Sequence, residues 1–100
     1  MPTAKATIDN TVLAETTHWE TVEGNIYFPP SSIKDPSLFV PTELSTFCPW
    51  KGHASYYSVV VGEKTIPNAV WYYAEPYEAA LNIKDHLAFY TNKVNVTVEE

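Results

Sequence analysis

Short runs of apolar and alternating residues, separated by turn residues, recur along the whole chain and predict β-strands. The pairs Asp9-Asn10 and Glu23-Gly24 each separate two such runs, over residues 5–14 and 18–28. Asp, Asn and Gly accept the backbone angles of tight turns, and the flanking Val, Ile, Thr, Trp, Tyr and Phe favour strands. The first 28 residues therefore predict two β-hairpins.

A connector is predicted over residues 30–41, because Pro29-Pro30 ends the second hairpin. The serines after Pro30 predict one helical turn over residues 31–35, which Pro36 ends. The apolar triplet at residues 38–40 is expected to anchor the connector in the core. Residues 41–45 are then expected to lead into the next strand.

The second half of the chain predicts further strands and one short helix. Residues 56–61 are almost continuously apolar, which predicts a strand that is central in its sheet or buried on both faces. Residues 69–73 and 87–90 predict strands, and residues 94–98 alternate so that their valines point inward. Pro76 opens a predicted helix near residues 76–82, which is rich in Glu, Ala and Leu.

Seven or eight short strands with turn signals between them predict a mainly β fold, either an antiparallel sandwich or an open barrel. The chain has 100 residues, no repeat and no linker-like segment. This length suits one core rather than two. We therefore predict a single domain over residues 1–100.

The charge pattern argues against a nucleic-acid-binding function. The formal net charge is −6, and the six basic residues are all lysines. Nucleic-acid interfaces need clustered positive charge, and arginine is their usual contact to phosphates and bases. No nucleic-acid partner is expected.

No segment predicts export or membrane insertion. The apolar runs fall well short of the ~18 residues of a membrane span, and the first five residues lack the apolar core of a signal peptide. The single cysteine permits no internal disulfide. These features predict a cytoplasmic protein with no membrane partner.

Residues 46–59 concentrate the reactive side chains of the chain. They include the only cysteine, Cys48, followed by Lys51 and His53, and they run from a turn into the apolar strand. A nearby cation lowers the pKa of a thiol, and a histidine can act as the base for a cysteine nucleophile. Cys48 and Lys51 are therefore the candidate catalytic residues. The alternative is that Cys48 is a small buried apolar side chain, the commonest role of a lone cysteine.

The pair Lys51-Gly52 is a candidate ligand anchor. The ammonium would bind an anion or a carbonyl, while the glycine would let the backbone approach the ligand closely. The alternative is a solvated lysine in a turn whose geometry requires glycine. The sequence leaves both interpretations open.

Aromatic residues on the predicted strands could line a pocket for a flat or apolar ligand. Trp71 and Tyr73 share one face of their strand, whereas Tyr72 points the other way. The alternative is core packing, which is favoured for Trp71, while Asn68 either caps a turn, its favoured role, or orients a ligand. The predicted ligand-binding set is Tyr27, Cys48, Lys51, His53, Ser55, Tyr56, Asn68, Trp71 and Tyr73.

Metal and nucleotidyl-transfer chemistry have little support in the sequence. The cysteine and the three histidines show no paired spacing of the kind found in zinc sites, so no metal is expected. The three aspartates form no paired motif, and the three glycines form no phosphate-binding loop. No cofactor is indicated.

Three stretches of the chain resemble the domain-of-unknown-function family 427, which is sometimes labelled nucleotidyltransferase-like. The stretches are Thr46-x-Cys48-Pro49-Trp50-Lys51-Gly52-x-Ala54-Ser55-Tyr56, Asn68-Ala69-Val70-Trp71-x-Tyr73-x-x-Pro76 and Ile83-x-x-x-Leu87-Ala88-Phe89-Tyr90-x-x-Lys93-Val94. The resemblance covers nearly the whole chain. It implies a small β-rich domain in which two antiparallel sheets lean together like a tent, beside a short helix. It implies no established activity.

The chain departs from the family pattern at two places. Trp50 stands where tyrosine is usual, and His18-Trp19 stands where an arginine is common. If that arginine binds an anion in relatives, the same binding is not expected here.

Three functions are consistent with the sequence. The favoured one is binding of a small molecule in an aromatic-lined pocket beside the Cys48–Lys51 turn, because the motif residues cluster on turns without a recognisable catalytic set. The second is an enzyme, either with a thiol nucleophile or nucleotidyltransferase-like. The third is a protein-interaction domain that forms a homodimer through a sheet edge or an aromatic patch.

Overall fold

The computed structural model describes residues 1–100 and contains nine strands in three antiparallel sheets. The strands are β1 (Thr3–Ile8), β2 (Thr11–Thr16), β3 (Glu20–Val22), β4 (Asn25–Tyr27), β5 (Phe39–Cys48), β6 (Gly52–Val61), β7 (Lys64–Tyr72), β8 (Ala88–Phe89) and β9 (Asn95–Glu99). In spatial order, β2-β1-β9 form a three-stranded sheet, β3-β4 a short hairpin and β5-β6-β7-β8 a four-stranded sheet. The predicted mainly β fold of antiparallel sheets is confirmed, and no sheet closes into a barrel.

The three-stranded sheet joins the two ends of the chain. β1 pairs with β2 as the first predicted hairpin, and Asp9 takes a positive φ of 53° in its turn. β9 pairs with the other side of β1. The exposed fraction of the alternating valines rises along this segment, from 2% at Val94 to 49% at Val98. Val98 lies opposite the buried Ala4 and therefore shares its inward face, but it stays exposed because β9 is an edge strand whose end is left uncovered.

Strands β6, β7 and β8 of the four-stranded sheet contribute to a core on each face, whereas β5 is mostly exposed. One face carries Val59, Val70 and Phe89 and belongs to the main core, which it shares with buried residues of β1 and β2. The other face carries Tyr56 and Ala88 and belongs to a second cluster, which we call the tyrosine core: Tyr27, Ala54, Tyr56, Tyr73, Ala80, Ile83 and Ala88. The prediction that this strand is central in its sheet or buried on both faces is confirmed, since β6 lies between β5 and β7 and contributes to both cores.

The short hairpin contributes to both cores. Tyr27 of β4 belongs to the tyrosine core, whereas the next residue, Phe28, packs edge-on against Phe89 in the main core, with ring centroids 5.3 Å apart. Two backbone hydrogen bonds of 2.8 Å between Phe28 and Leu87 attach the hairpin beside β8. The second predicted hairpin is thus confirmed, and it covers the sheet face that the three-stranded sheet leaves free.

Two β-bulges face each other across β6. The pairing register shifts around residues 42–44 of β5 and residues 67–69 of β7. Asn68 lies in the second bulge with a φ of 49°, and its side-chain oxygen accepts a hydrogen bond of 2.8 Å from the Thr42 hydroxyl in the first bulge. Bulges bend strands and increase their twist, so this bond couples the two bends. Residues 41–45 are therefore part of β5 and not, as predicted, a lead-in to the strand.

The connector differs from its prediction. Pro30 begins a 3-10 turn, η1 (Pro30–Ser32), which no side chain caps. Pro36 was predicted to end a helical turn, but it begins a second 3-10 turn, η2 (Pro36–Leu38). The carboxylate of Asp35 caps this turn. Phe39 is buried as expected, but Val40 is exposed. The reason is that β5 starts at Phe39, so strand alternation turns the next side chain outward.

The predicted helix near residues 76–82 is a 3-10 segment, η3 (Glu78–Ile83). Ala80 has non-helical angles, φ −122° and ψ 21°, so the segment consists of two short turns. So short a sequence does not stabilise an α-helix by itself, and η3 is held by burying Ala80 and Ile83 in the tyrosine core. The helical segments have three to six residues, and none of them provides a membrane-crossing helix.

The contribution of the two bulges to stability can be tested at Asn68, the bulge residue with a positive φ. Alanine at position 68 loses the side-chain hydrogen bond and disfavours positive φ, so we expect Asn68→Ala to lower the free energy of unfolding by about 2 kcal/mol. Asn68→Gly keeps the backbone angle and should lose about 1 kcal/mol. Urea unfolding measures both variants, with Thr42→Val as the control that removes only the hydrogen bond. Equal losses in the alanine and glycine variants would show that the backbone angle is unimportant.

Candidate functional site

The turn between β5 and β6 is held from both sides. Gly52 has a φ of 111°, a conformation that strongly favours glycine. A Cβ at this position would lie 3.5 Å from the Glu75 carbonyl oxygen. The Tyr77 amide donates a hydrogen bond of 2.9 Å to the Lys51 carbonyl. The turn therefore requires glycine, as the second interpretation of Lys51-Gly52 stated. The hydrogen bond from Tyr77 attaches this turn to the segment before η3.

The Lys51 side chain points inward. It is 8% exposed, and its ammonium forms a short ion pair with the carboxylate of Glu23 at the tip of the β3-β4 hairpin. The ammonium also lies 5.4 Å from the ring centroid of Trp50 and 5.5 Å from that of Tyr73. Cation–π contacts and a charge-assisted hydrogen bond both stabilise an ammonium. Lys51 is therefore not a solvated turn lysine, and its charge is already bound by three partners of its own chain.

Opposing effects act on the pKa of Lys51. Burial lowers the pKa of the ammonium, but the hydrogen bond with Glu23 and the electrostatic interactions with Tyr27 and Tyr73 outweigh it and raise the pKa to about 12. In turn, the hydrogen bond and charge of Lys51 hold the pKa of Glu23 below its usual value of 4.5. Burial raises the pKa of Tyr73, although the charge of Lys51 works against the rise. At neutral pH the pair is fully ionised beside a neutral phenol.

The structure does not bring Cys48 and His53 together. β5 pairs with β6 so that Phe47 lies opposite His53 and Cys48 opposite Gly52. Because successive side chains on a strand alternate, Cys48 and His53 point to opposite faces of the sheet. His53 is exposed and contacts the ring of Phe47, with centroids 4.9 Å apart. Cys48 is half-buried. A thiol with His53 as its base is not assembled in this arrangement.

The predicted aromatic residues pack together on the tyrosine-core face. The Trp71 indole N–H donates a hydrogen bond of 3.0 Å to the Tyr27 hydroxyl, and their rings meet edge-on. The Tyr56 hydroxyl is 2.9 Å from the Thr46 hydroxyl. Tyr27, Tyr56 and Tyr73 are each at most 5% exposed. Four of the predicted ligand-binding residues thus form one packed cluster, which Lys51 borders.

Two other predicted residues lie away from this cluster. Ser55 pairs with Tyr72 of β7 on the opposite face of the sheet. Asn68 donates its backbone N–H to the Ser58 hydroxyl and accepts from Thr42, as the bulge residue described above. The favoured turn-forming role of Asn68 fits this geometry. The structure therefore distributes the predicted set over two faces of one sheet.

The sequence interpretation omitted Tyr90 from the aromatic set. Its ring lies 4.7 Å from that of Trp71 and is stacked 6.4 Å from that of Tyr56, where the two hydroxyls are 3.5 Å apart. The hydrogen bond with Tyr56, together with burial, raises the pKa of Tyr90 to about 12. The available signal was its place directly after the apolar run that forms β8.

Three main clefts and two minor ones indent the surface, and none of the three main clefts is lined by any of the nine predicted ligand-binding residues. As ligand contacts, those nine therefore stay a prediction. The most apolar cleft, which we call the aromatic cleft, has a volume of about 370 Å³. It is lined by Pro30, Ile33, Pro36, Phe39, Tyr57, Tyr72, Asp85 and Leu87.

The aromatic cleft lies between the connector and the main-core face of the four-stranded sheet. Tyr57 and Tyr72 are diagonal neighbours on β6 and β7, and their rings are stacked with centroids 4.6 Å apart at an angle of 16°. Phe39 meets Tyr57 edge-on at 6.0 Å. Ile33 reaches the cleft because it bridges to Ala14 of β2. Two sheets and the connector thus position the walls of one apolar cleft.

Asp85 is the one charged residue that lines the aromatic cleft. It has a φ of 61°, and its backbone N–H donates a hydrogen bond of 3.0 Å to the Tyr73 carbonyl. Its carboxylate takes part in none of the ion pairs or side-chain hydrogen bonds of the protein. Burial raises the pKa of Tyr57 to about 12, with the neighbouring Tyr72 and the charge of Asp85 adding to the rise. The cleft therefore combines two tyrosine rings with a carboxylate that has no ion-pair partner.

A second cleft is polar and lies beside the loop between β2 and β3. It is lined by Thr17, His18, Trp19, Glu20, Pro29 and His86. The Glu20 carboxylate accepts a hydrogen bond of 2.8 Å from Asn82, and the His86 ring contacts the Lys84 carbonyl at 2.9 Å. No group of three His, Cys, Asp or Glu side chains is arranged to hold a metal ion.

Comparison with protein families decides where this chain belongs. A family described as a domain of unknown function (DUF427) matches residues 3–100. The chain belongs to DUF427. The match supports the resemblance noted in the sequence, and in this DUF427 chain it spans all three sheets. No curated protein sequence matches the chain.

Two substitutions in this DUF427 protein can separate the contribution of the Lys51 charge to stability from that of its apolar stem. Lys51→Met keeps an apolar stem but removes the charge. The ion-pair partner Glu23 is half-exposed, which limits the stability that the charge contributes. We therefore expect a decrease of about 1 kcal/mol in the free energy of unfolding. Lys51→Ala also removes the buried stem and should cost about 3 kcal/mol. Urea unfolding compares them. A methionine variant as unstable as the alanine variant would assign the effect to the charge alone.

The Glu23–Lys51 ion pair also predicts a pH dependence. Because the pKa of Glu23 is lowered in the folded state, its contribution to stability is present above the usual value and is lost as the pH falls through the folded-state pKa. We expect wild type to be more stable than Glu23→Gln near neutral pH and the difference to shrink as the pH falls below the usual pKa of 4.5 and through the lowered pKa of the folded state. Thermal unfolding across this range measures the difference, with Glu43→Gln on β5 as the charge-matched control. A constant difference at all pH values contradicts the assignment.

Proposed function

We propose that this DUF427 domain binds a small organic molecule in the aromatic cleft. The observation that carries the proposal is the stacked pair of Tyr57 and Tyr72 in the wall of an apolar cleft. Ligand sites are concave and mostly apolar, with few polar groups that orient the ligand. This cleft is lined by five hydrophobic residues, two of which are tyrosines, together with two prolines and one aspartate. Its composition is that of a ligand site more than of a packing defect.

The size of the aromatic cleft supports the same proposal. Its volume of about 370 Å³ lies at the lower end of the ~300–1,000 Å³ of known ligand pockets. A compact ligand of one ring or a branched chain suits that space. Its walls come from the sheet, which is rigid, and from proline-rich turns, whose fixed backbone angles reduce the ordering that a ligand must impose.

The proposal moves the ligand from the place favoured by the sequence. The Cys48–Lys51 turn lies beside the tyrosine core, where the aromatic side chains contact one another and Lys51 is paired with Glu23. Tyr57 and Tyr72 lie on the opposite face of the same strands. Small-molecule binding is thus retained as the function, with a different set of residues in contact with the ligand.

The two alternative functions have less support. A thiol enzyme is not favoured by a cysteine and a histidine on opposite faces of a sheet. A homodimer through the free edge of β5 would have to pair a strand interrupted by Pro41 and by the bulge at residues 42–44. Proline and bulges are features that hinder edge-to-edge pairing. The aromatic cleft needs no such rearrangement.

A fragment screen by NMR tests the proposal on the full chain. We expect the binding fragments to shift the backbone signals of Tyr57, Tyr72 and Leu87, and Tyr72→Ala to weaken binding about tenfold, since an aromatic contact contributes about 1–1.5 kcal/mol. Tyr77→Ala, an exposed tyrosine outside the cleft, is the matched control. Fragments that instead shift signals around Lys51 and Tyr73, or that bind both variants alike, would contradict the proposal.

A further inference from the structure

We propose that the ligand of the aromatic cleft is an organic cation, an ammonium group that carries apolar substituents. This inference rests on the proposed function, since it names the chemical class that the same cleft would take. Its basis is the combination of Asp85 with the rings of Tyr57 and Tyr72. Each of these features favours positive charge, and the apolar walls favour the substituents.

The charge of the cleft is unbalanced. Asp85 is its only charged lining residue, and the three ion pairs of the protein involve other carboxylates. Lys34 follows the lining residue Ile33, but its ammonium faces Glu15 at 3.9 Å. A cation in the cleft would therefore meet one carboxylate without a competing partner. An anion would meet the same carboxylate as a repulsive charge.

The aromatic rings favour the same class of ligand. The face of a phenol ring attracts cations through its quadrupole, and this attraction is used to recognise quaternary ammonium groups. Tyr57 and Tyr72 stack on each other, which leaves one face of each ring directed away from the pair. Tyr57 also keeps its proton up to high pH, because its pKa is raised to about 12. Tyr57 therefore stays a neutral phenol beside the charge of Asp85.

The protein already binds one ammonium group in this way. The Lys51 ammonium lies 5.4 and 5.5 Å from the centroids of two aromatic rings and pairs with the carboxylate of Glu23. The aromatic cleft repeats this set, two rings and a carboxylate, on the opposite face of β6 and β7 but without a lysine. The chemistry that holds the Lys51 ammonium inside the protein is thus presented to solvent at the cleft.

The apolar walls account for the substituents. Ile33, Phe39 and Leu87 lie beside the tyrosines, and Pro30 and Pro36 complete the wall on the connector side. A strongly hydrated inorganic cation would gain nothing from these contacts, whereas an alkylated ammonium ion buries its methyl groups against them. The cleft should therefore distinguish organic ammonium ions from Na⁺ or K⁺.

A matched pair of ligands tests the charge. Choline and its neutral carbon isostere, 3,3-dimethylbutan-1-ol, have nearly the same shape, so their affinities for the full chain differ through the positive charge. We expect choline to shift the NMR signals of Tyr57, Tyr72 and Leu87 and to bind about tenfold more tightly than the alcohol. Sodium chloride at the same concentration should leave these signals unchanged.

Two charge-matched variants test the carboxylate. Asp85→Asn keeps the shape of the side chain, and asparagine tolerates the positive φ of this position. We expect it to weaken choline binding about tenfold and to leave binding of the alcohol unchanged. Glu63→Gln, in the turn between β6 and β7, removes the same charge outside the cleft and should bind choline like wild type.

The outcomes separate this inference from the proposed function. Equal binding of choline and the alcohol in the cleft overturns the cation and retains a small-molecule site. Equal weakening by Asp85→Asn and Glu63→Gln overturns the role of Asp85, because only net charge would then matter. Choline that shifts no cleft signal overturns the inference, and the proposed function is then decided by the fragment screen.

Discussion

A sheet with apolar side chains on both faces must be covered on both faces, and this constraint organises the protein. β6 supplies Val59 to the main core and Tyr56 to the tyrosine core. The three-stranded sheet covers one face, while the short hairpin and η3 cover the other. The Lys51–Glu23 ion pair then fastens the tip of that hairpin to the turn before β6. Most of the molecule is thus arranged as two layers around one bent, central sheet.

The cover on the main-core face is incomplete where the connector crosses it. Prolines in this segment favour short 3-10 turns over a helix or strand, so the connector cannot fill the space above Tyr57 and Tyr72 as a regular element would. The aromatic cleft is the result. On the other face, the Lys51 ammonium pairs with Glu23 and contacts the rings of Trp50 and Tyr73. Two rings and a carboxylate thus hold a lysine of the chain on that face, whereas the two rings and the carboxylate of the aromatic cleft have no such partner.

Local signals account for the parts of the fold that were predictable. The hairpins around Asp9-Asn10 and Glu23-Gly24 follow from turn residues between alternating runs, and both the turn and the alternation are properties of neighbouring residues. The segments at residues 30–38 and 78–83 were mispredicted in detail, because so few residues take their conformation from what they pack against. The start of β5 was also predicted too late in the chain. Pro41 suggested the end of the connector, whereas an edge strand tolerates proline.

The sequence by itself determined the strand-rich architecture and predicted β6 as a central or doubly buried strand, because these depend on apolar periodicity. The need for glycine at position 52 was one of two interpretations, and the φ of 111° decided it. Only the tertiary structure decided which reactive side chains meet. Cys48 and His53 are five positions apart but face opposite ways, since the pairing register sets Cys48 against Gly52. Tyr57, Tyr72 and Asp85 are apart in the chain and meet in one cleft, because the pairing of β6 with β7 sets the two tyrosines side by side and the Asp85 backbone bonds to Tyr73. Register and long-range packing are cooperative properties of the whole chain, and no local pattern encodes them.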